Sequence, residues 1–461
     1  MAIHTQNLQE FATHFKPTIS KCLFSAVVWH TIDNMPTLKT YTLGCKVNQY
    51  ETEYLREGLL RLGYTDAAED EPGDCVIVNT CTVTAQSDFK SRKILRRVVR
   101  ENPDAEIVVT GCYATRKPHE IRMLFEREAS LEIIGDKRDI PAFLRRHGLA
   151  EPPGGIAFFG ERHRAYVKVQ DGCRVGCAYC IIPKVRPYLL SRPAEPVLEE
   201  IRALAGNGYA EIVLTGIHLG HYGIDLSAKS NLATLLGQIV ALIDRESLPL
   251  RLRLSSLEAV EVSDELIRLF RDHPKVICPH FHLSMQSGSD EVLRNMRRRW
   301  LSGPFLEKCE LLRRKLDGVA LTTDVIVGFP GETDAQFQET CDMVRRIGFS
   351  KVHVFRFSGR EGTEAVQLPN QIPSGVKKER AAVLQRLADQ LRNDYAESLL
   401  GMTVQTLLEE FFNEQENTTV LSGTADRYLK VKVPGDAGWL GKLVDVRLEE
   451  AHGEDLMGTI R

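Results

Sequence analysis

The sequence lacks an apolar run of the roughly 18 residues that a membrane-spanning helix needs. It also lacks a basic segment leading into an apolar stretch at its N-terminus, so no secretory signal is read. Neither sign of charge dominates: 59 Lys and Arg stand against 62 Asp and Glu, a net charge of -3. A globally basic nucleic-acid binder is thereby excluded, while a local basic patch is not. No low-complexity segment or short repeat occurs, and 43 % hydrophobic with 26 % charged residues describes a soluble globular chain. At 461 residues it is too long for one ordinary core, so two to four domains are expected. The expectation is a cytoplasmic chain with reduced thiols. Its eleven cysteines then serve as metal ligands, redox groups or core fillers.

Residues 1–34 show no sustained period and read as a loose N-terminal extension. Four short apolar runs follow: LKTYTLG (38–44), DCVIVNT (74–80), EIVVTG (106–111) and LEIIG (131–135). Amphipathic stretches such as TEYLREGLLRLG lie between them. This alternation predicts an α/β unit over residues 35–150, a parallel sheet flanked by helices. EPPGG at 151–155 marks a linker. Six more runs come next: AYVKVQ (165–170), EIVLTG (211–216), RLRLSS (251–256), HFHLS (280–284), TTDVIVG (322–328) and KVHVFRF (351–357). They predict a partial (β/α)6 barrel over residues 156–395, with its working face at the strand C-termini. A long amphipathic helix is predicted over 377–401. Over residues 400–461 the period changes to two, and about five strands are predicted to form a small β-barrel.

Against these absences stands a concentration of sulfur. DGCRVGCAYC (171–180) sets Cys173, Cys177 and Cys180 at C-x3-C-x2-C. A closed tetrahedral metal site takes four ligands, and a [4Fe–4S] cluster usually takes four thiolates. Three leave one iron open to a small chelating molecule, which makes the centre reactive. Zinc completed by a distant histidine is the competing reading, but the second tight cysteine pair that zinc sites favour is missing. Cys45, Cys81 and Cys112 are scattered, yet each lies at or just past a predicted strand end: TYTLGC, VIVNTC and VVTGC. Ligands of open parallel sheets sit beyond the strand C-termini, so adjacent strands could gather these three thiols. Packing in the core is the other reading. Cys75 is read as core, and Cys22, Cys278, Cys309 and Cys341 as structural.

KSRKILRRVVREN (90–102) predicts a helix with Ile94, Leu95, Val98 and Val99 on one side. Lys93, Arg96, Arg97 and Arg100 cover the other, as a solvated face or as a contact for RNA phosphates. Arg297 and Arg298, in the RRR at 297–299, carry the same two readings. Glu258 and Asp324 fall near strand ends, where a carboxylate can bond a ribose or an amine. GFPGET (328–333) lacks the G-K-[ST] of a phosphate loop and reads as a tight strand-to-helix turn.

The C-x3-C-x2-C loop, with aromatic Tyr179 before its last cysteine and a partial barrel behind it, resembles the radical S-adenosylmethionine superfamily. The resemblance implies that Cys173, Cys177 and Cys180 ligate a [4Fe–4S] cluster whose open iron binds S-adenosylmethionine. Cleavage of that molecule then yields a radical that abstracts hydrogen from the substrate. TLGCKVNQYETE (42–53), NTCTVTAQSDFKSRK (79–93), GCYAT (111–115), HFHLSMQSGSDEVLRNMRR (280–298) and TDVIVGFPGETDAQF (323–337) are similar to the methylthiotransferases. This likeness implies a second [4Fe–4S] cluster on Cys45, Cys81 and Cys112, and a C-terminal RNA-binding module of the TRAM kind.

TLGCKVNQYE resembles the branch that places a methylthio group on C2 of N6-threonylcarbamoyladenosine at position 37, in the tRNA anticodon loop. That reaction implies an electron donor such as flavodoxin or ferredoxin. The architecture also serves isopentenyl-adenosine in tRNA and an aspartate of a ribosomal protein. A non-catalytic, metal-stabilised RNA-binding protein is the reading from another class. One departure stands out: Pro187 occupies a place in KVRPYLLSRP where the likeness leads one to expect glycine.

Overall fold

Five strands carry the first sheet: β1 (Thr37–Thr42), β2 (Thr65–Asp66), β3 (Cys75–Thr80), β4 (Glu106–Gly111) and β5 (Leu131–Ile133). Their order is β2-β1-β3-β4-β5, and every pairing is parallel. β3 is buried at all six positions, as a central strand covered on both faces must be. Helix Lys46–Leu60 follows β1 and helix Ala85–Glu101 follows β3. The second starts at Thr84, whose side chain accepts from the Ser87 N–H, and it buries Leu95 and Val98 against the sheet. This computed structural model describes residues 35–461 apart from 126–130, 161, 228–229, 416–417 and 454, and without side chains over 413–418. The N-terminal extension and Cys22 lie outside the described residues.

The central unit holds β6 (Arg164–Asp171), β7 (Leu190–Ser191), β8 (Glu211–Gly216), β9 (Arg251–Leu254), β10 (Ser256–Leu257), β11 (His280–Leu283), β12 (Ala320–Val327) and β13 (Lys351–Arg356). One sheet runs β7-β6-β8-β9 and the next β10-β11-β12-β13. β9 and β10 are two pieces of one run interrupted at Ser255, and a parallel bridge from Leu252 to Ile277 continues the pairing. Six parallel strand positions thus form the incomplete barrel, and Val167, Leu214, Leu252, Leu283 and Val325 belong to the apolar core that the strands share with helices Ala194–Gly206 and Leu232–Glu246. β2 and β7, at two residues each, are too short to show a period in the sequence. The 151–155 segment is pinned by hydrogen bonds from Tyr54 Oη to Pro153 O (2.7 Å) and from Arg192 to Gly154 O (2.8 Å).

Helix Ser374–Ser398 crosses β13 and leads into β14 (Thr403–Gln415), β15 (Thr418–Ala425), β16 (Lys430–Pro434), β17 (Leu443–His452) and β18 (Asp455–Ile460). These five close into a barrel in the order β14-β15-β16-β18-β17, around Val404, Leu421, Val431 and Val446. The GFPGET turn anchors the long helix: Arg380 donates to the Glu332 carboxylate at 2.7 Å. Buried Glu211 accepts from Arg251 at 2.7 Å and from Arg253 at 2.8 Å. The same arginines reach the small barrel, Arg251 at Thr424 O (2.8 Å) and Arg253 at Asp426 O (2.8 Å). The small barrel is therefore bolted to the N-terminal ends of β8 and β9, far from the end where the cysteine loop emerges.

Candidate active site

β6 ends at Asp171, and the chain must turn at once into the cysteine loop. Gly172 makes the turn with φ +79°, and a Cβ there would fall 1.5 Å from Tyr188 O, so no other residue fits. Cys180 N donates to Cys177 O at 3.0 Å, closing the loop on itself. Ala178 ties it to the chain at Met296 O (3.0 Å) and at Ala365 N (2.8 Å). His218 Nδ1 lies 3.3 Å from Cys173 Sγ, and its Nε2 lies 2.5 Å from Glu261. Burial works against a charge on His218, but its bonds to Cys173 and Glu261 outweigh burial and raise it to about 9. Arg298 donates to Cys177 Sγ at 3.1 Å and to Tyr179 Oη at 3.3 Å. Burial pushes the Cys180 thiol up to about 12, so a metal taking this ligand must displace a proton.

The three scattered cysteines converge. Thr80 of β3 pairs with Gly111 of β4, so Cys81 and Cys112 follow two residues held side by side. Cys45 caps helix Lys46–Leu60 just beyond β1, the other neighbour of β3. Gly111 (φ +96°) has no room for a side chain: a Cβ would meet Thr80 O at 2.1 Å. A Cβ on Gly44 would sit 3.0 Å from Cys81 Sγ.

Behind Cys112 stands a buried polar cluster that sequence reasoning missed. Arg186 Nε donates to Cys112 Sγ at 3.4 Å, and its other nitrogens bond Glu51 (2.7 Å), Asp171 (2.7 Å) and Asn48 (3.0 Å). Lys168 bonds Glu51 at 2.9 Å, and Lys137 donates to Gly111 O at 2.6 Å. Burial lowers Lys137 to about 8. Three basic side chains thus meet two carboxylates, a surplus suited to thiolates carrying negative charge. A signal existed in Asn48 and Glu51, polar residues one helical turn apart on the buried face of an amphipathic helix. Arg186 also accepts the Cys173 N–H on its carbonyl (3.3 Å), so one residue touches both cysteine sets. Pro187 follows it. Helix Ile182–Val185 ends there with Arg186 at φ -143°, as the residue before a proline should be.

Three cavities that share lining residues run from the loop set to sequence neighbours of Cys45 and Cys81. One of about 150 Å³ is lined by Cys173, Cys177, Cys180, Glu258 and Arg298. A second of about 240 Å³ shares Tyr179 and Cys180 with it and reaches Val83 and Thr84, just past Cys81. A third of about 460 Å³ shares Asp324 with the second and reaches Gly44 and Lys46 on either side of Cys45. Among the described residues, the three ligand sets compact enough for a single ion contain no cysteine. Zinc held by sulfur at about 2.3 Å needs such compactness. A cubane of four irons and four sulfides spreads its thiolates wider, and the donor chemistry of both cysteine sets fits it.

One family profile, described as an uncharacterized protein family (UPF0004), matches residues 37–132, and that of the Radical SAM superfamily matches residues 167–344. A threonylcarbamoyladenosine tRNA methylthiotransferase of Bacillus subtilis is 38 % identical over 433 residues, 90 % of this chain and 94 % of that protein. The chain belongs to the radical S-adenosylmethionine methylthiotransferase family. A Thermotoga maritima protein of the same description is 35 % identical over 92 % of this chain and 96 % of its own length. A tRNA-2-methylthio-N(6)-dimethylallyladenosine synthase of Desulfitobacterium hafniense is 32 % identical, covering 92 % of this chain and 97 % of that one. The solved radical S-adenosylmethionine methyltransferase TsrM of Kitasatospora setae superposes with a TM-score of 0.51 at 14 % identity, over 70 % of this chain and 75 % of that one, a likeness of fold.

Membership brings one [4Fe–4S] cluster and S-adenosylmethionine to this radical S-adenosylmethionine methylthiotransferase. Tyr179 and Glu258 stand in the cavity at the cysteine loop. Asp324 stands one cavity away, 3.3 Å from His282. Burial pushes its carboxyl up, but the His282 bond and charge outweigh burial and hold it below the usual range. Lys93, Arg96, Arg97 and Arg100 are exposed on the helix after Cys81, Arg97 pairing with Glu101 at 3.5 Å. Arg297 is exposed and pairs with Glu364 at 2.6 Å.

Arg298 corrects the RNA expectation. Its side chain is 4 % exposed, pairs with Glu258 at 3.1 Å and stacks on Trp300 at 3.9 Å, so no phosphate can reach it. Arg299 also bonds Glu258.

Proposed function

We propose that this chain places a methylthio group on C2 of N6-threonylcarbamoyladenosine at position 37 of tRNA. The observation that carries the reading is full-length kinship with the Bacillus subtilis enzyme of that description, 94 % of whose length is covered. Cavities with shared lining that run from the loop cysteines to Gly44, Lys46, Val83 and Thr84, close in sequence to Cys45 and Cys81, support it. Cys173, Cys177 and Cys180 would hold the cluster that binds S-adenosylmethionine, and Cys45, Cys81 and Cys112 a second [4Fe–4S] cluster for sulfur delivery. When bound, the first cluster supplies the electron that cleaves S-adenosylmethionine, and hydrogen abstraction then opens the C2–H bond, which acid–base groups cannot activate.

The chain's own residues position and insulate. Arg298 and His218 point at Cys177 and Cys173 and offset thiolate charge. Arg298 and Arg299 together neutralise Glu258, leaving it to orient a bound amine or hydroxyl without stranding a charge. Tyr179 walls the passage between the first and second cavities. Residues 35–150, 156–395 and 400–461 would act as sulfur-delivery, radical and RNA-gripping modules. The electron would come from an external donor such as flavodoxin or ferredoxin.

Nucleosides digested from tRNA of a deletion strain test the reading by mass spectrometry. The methylthio-threonylcarbamoyl nucleoside should vanish, with its unthiolated precursor in its place. Loss of the dimethylallyl counterpart instead would move the substrate to the other branch, and an unchanged profile would end the proposal.

A further inference from the structure

The cavity of about 460 Å³ inside the incomplete barrel is the largest of the three, and neither cysteine set accounts for its lining. Inward positions of barrel strands are ordinarily filled by branched apolar side chains. Here they carry His280 and His282 on β11, Asp324 on β12 and His353 on β13. Lys46, next to Cys45, closes one side, and Tyr428 of the small barrel another.

The charges facing this space differ in their commitments. Arg164 is held by Glu409 at 2.7 Å, and Arg253 by Glu211 at 2.8 Å and by Asp426 O at 2.8 Å. Asp324 lies 3.3 Å from His282 Nε2 and also faces His353 and Lys46. Lys46 differs. Among the described residues it has no ion pair or hydrogen bond, and its Nζ stands 6.0 Å from the centre of the Tyr166 ring. His280 Nδ1 is buried and also without a hydrogen-bond partner among the described residues. Lys46 acts on Asp324 only at a distance, so a cavity with a cation that no group bonds and an unsatisfied imidazole nitrogen suits a polar occupant that brings an acceptor for the cation.

The substrate reading above, on which this inference rests, supplies one. The N6 arm of the base carries a urea, a hydroxyl and a carboxylate. N1, C2 and C6 share the adenine edge farthest from the ribose, so whatever brings C2 into the protein brings the N6 arm with it. We propose that the barrel cavity is the subsite for this arm, with Lys46 pairing its carboxylate. His353 and His280 lie on the lining to bond the hydroxyl and urea. Lys46 adjoins Cys45, so the ion pair fixes the base beside the Cys45, Cys81 and Cys112 set. An apolar dimethylallyl arm would leave Lys46 facing it without a bonded acceptor, so the same lysine discriminates between the two tRNA substrates of the family.

The test uses the cluster-loaded enzyme and two anticodon stem-loop RNAs. One carries the threonylcarbamoyl arm as the free acid, the other as its methyl ester, which removes the charge at the cost of one added methyl group. Wild type should prefer the acid about tenfold to a hundredfold in kcat/KM, the worth of one charged hydrogen bond. Lys46→Gln should bring the ratio close to one, and Lys46→Arg should restore most of it. The ratio cancels any general loss of activity. Dissociation constants of both RNAs, which need no turnover, give the same comparison if Lys46→Gln loads its clusters poorly. Equal use of acid and ester by wild type, or a preference that survives Lys46→Gln, overturns the subsite while leaving the reaction standing. No methylthio product from wild type on the acid RNA overturns the substrate reading itself, and the subsite with it.

Discussion

The two cysteine sets are gathered by opposite means. Cys173, Cys177 and Cys180 share a loop whose turn is closed by its own backbone, so their spacing is a local property. Cys45, Cys81 and Cys112 meet only because β1, β3 and β4 pair in one register, Thr80 opposite Gly111. A loop can be transplanted between folds, whereas a site made by strand ends exists only when the sheet does. The electrostatics differ in the same sense. Each set has an arginine on one sulfur, Arg298 on Cys177 and Arg186 on Cys112. Glu258 beside Arg298 has a second partner in Arg299. Glu51 and Asp171 share Arg186 and Lys168, and Arg186 is completely buried.

The largest effect expected from this contrast is a clean split of activities. In oxygen-free reconstituted protein, Cys177→Ala should reduce 5′-deoxyadenosine formation to background. Cys81→Ala should keep that formation and lose methylthio product. Each variant should hold about four irons where the intact chain holds about eight. Methylthio product from Cys81→Ala would break the division of labour, and iron below about one per chain in the intact protein would break the two-cluster account altogether.

A smaller effect separates the two arginines. Arg186→Met leaves Glu51 and Asp171 buried with Lys168 alone, a loss of about 3–5 kcal/mol for a broken buried network. Arg298→Met leaves Glu258 with Arg299 and should cost about 1–2 kcal/mol. Denaturant midpoints of the two variants check the order. Equal shifts would mean that the network behind Cys112 is no more demanding than the pair behind Cys177.

The sequence announced the loop set and left the other harder to see for the same physical reason. Ligand spacing within ten residues survives in one dimension, and so did the six strands of the barrel, whose apolar runs need no partner to be recognised. The scattered set was visible only through the rule that ligands gather beyond strand C-termini, and the likeness to a known family had to strengthen it. Direction was lost entirely. Arg297, Arg298 and Arg299 are three consecutive basic residues, yet one points to Glu364 at the surface, one to Cys177 and one to Glu258 and Glu261. Composition records their charge and not their aim. The Arg186 network escaped for a related reason: Asn48 and Glu51 share one helix and Lys168 and Asp171 share β6, but Lys137 and Arg186 come from elsewhere, and nothing local joins the helix to the strand.

The smallest effect concerns where the RNA is held. The exposed basic residues of helix Ala85–Glu101 begin a few positions after Cys81, so a grip there belongs to the sheet-built site and not to the loop. Lys93 and Arg96 face solvent, while Arg97 is partly engaged, 3.5 Å from Glu101 and 5.0 Å from the centre of the Tyr41 ring. Removing one basic side chain from an RNA phosphate should lower the slope of log K against log salt by about 0.7–0.9. Lys93→Gln with Arg96→Gln should therefore flatten the slope for tRNA binding by about 1.5, and Arg97→Gln by less, since its charge is already shared. Cleavage of S-adenosylmethionine without RNA should not change in any of them, because that chemistry is proposed to sit at the loop set. An unchanged salt slope in the double variant would mean that this face is only solvated, and that the RNA is gripped on the loop side or by the small barrel instead.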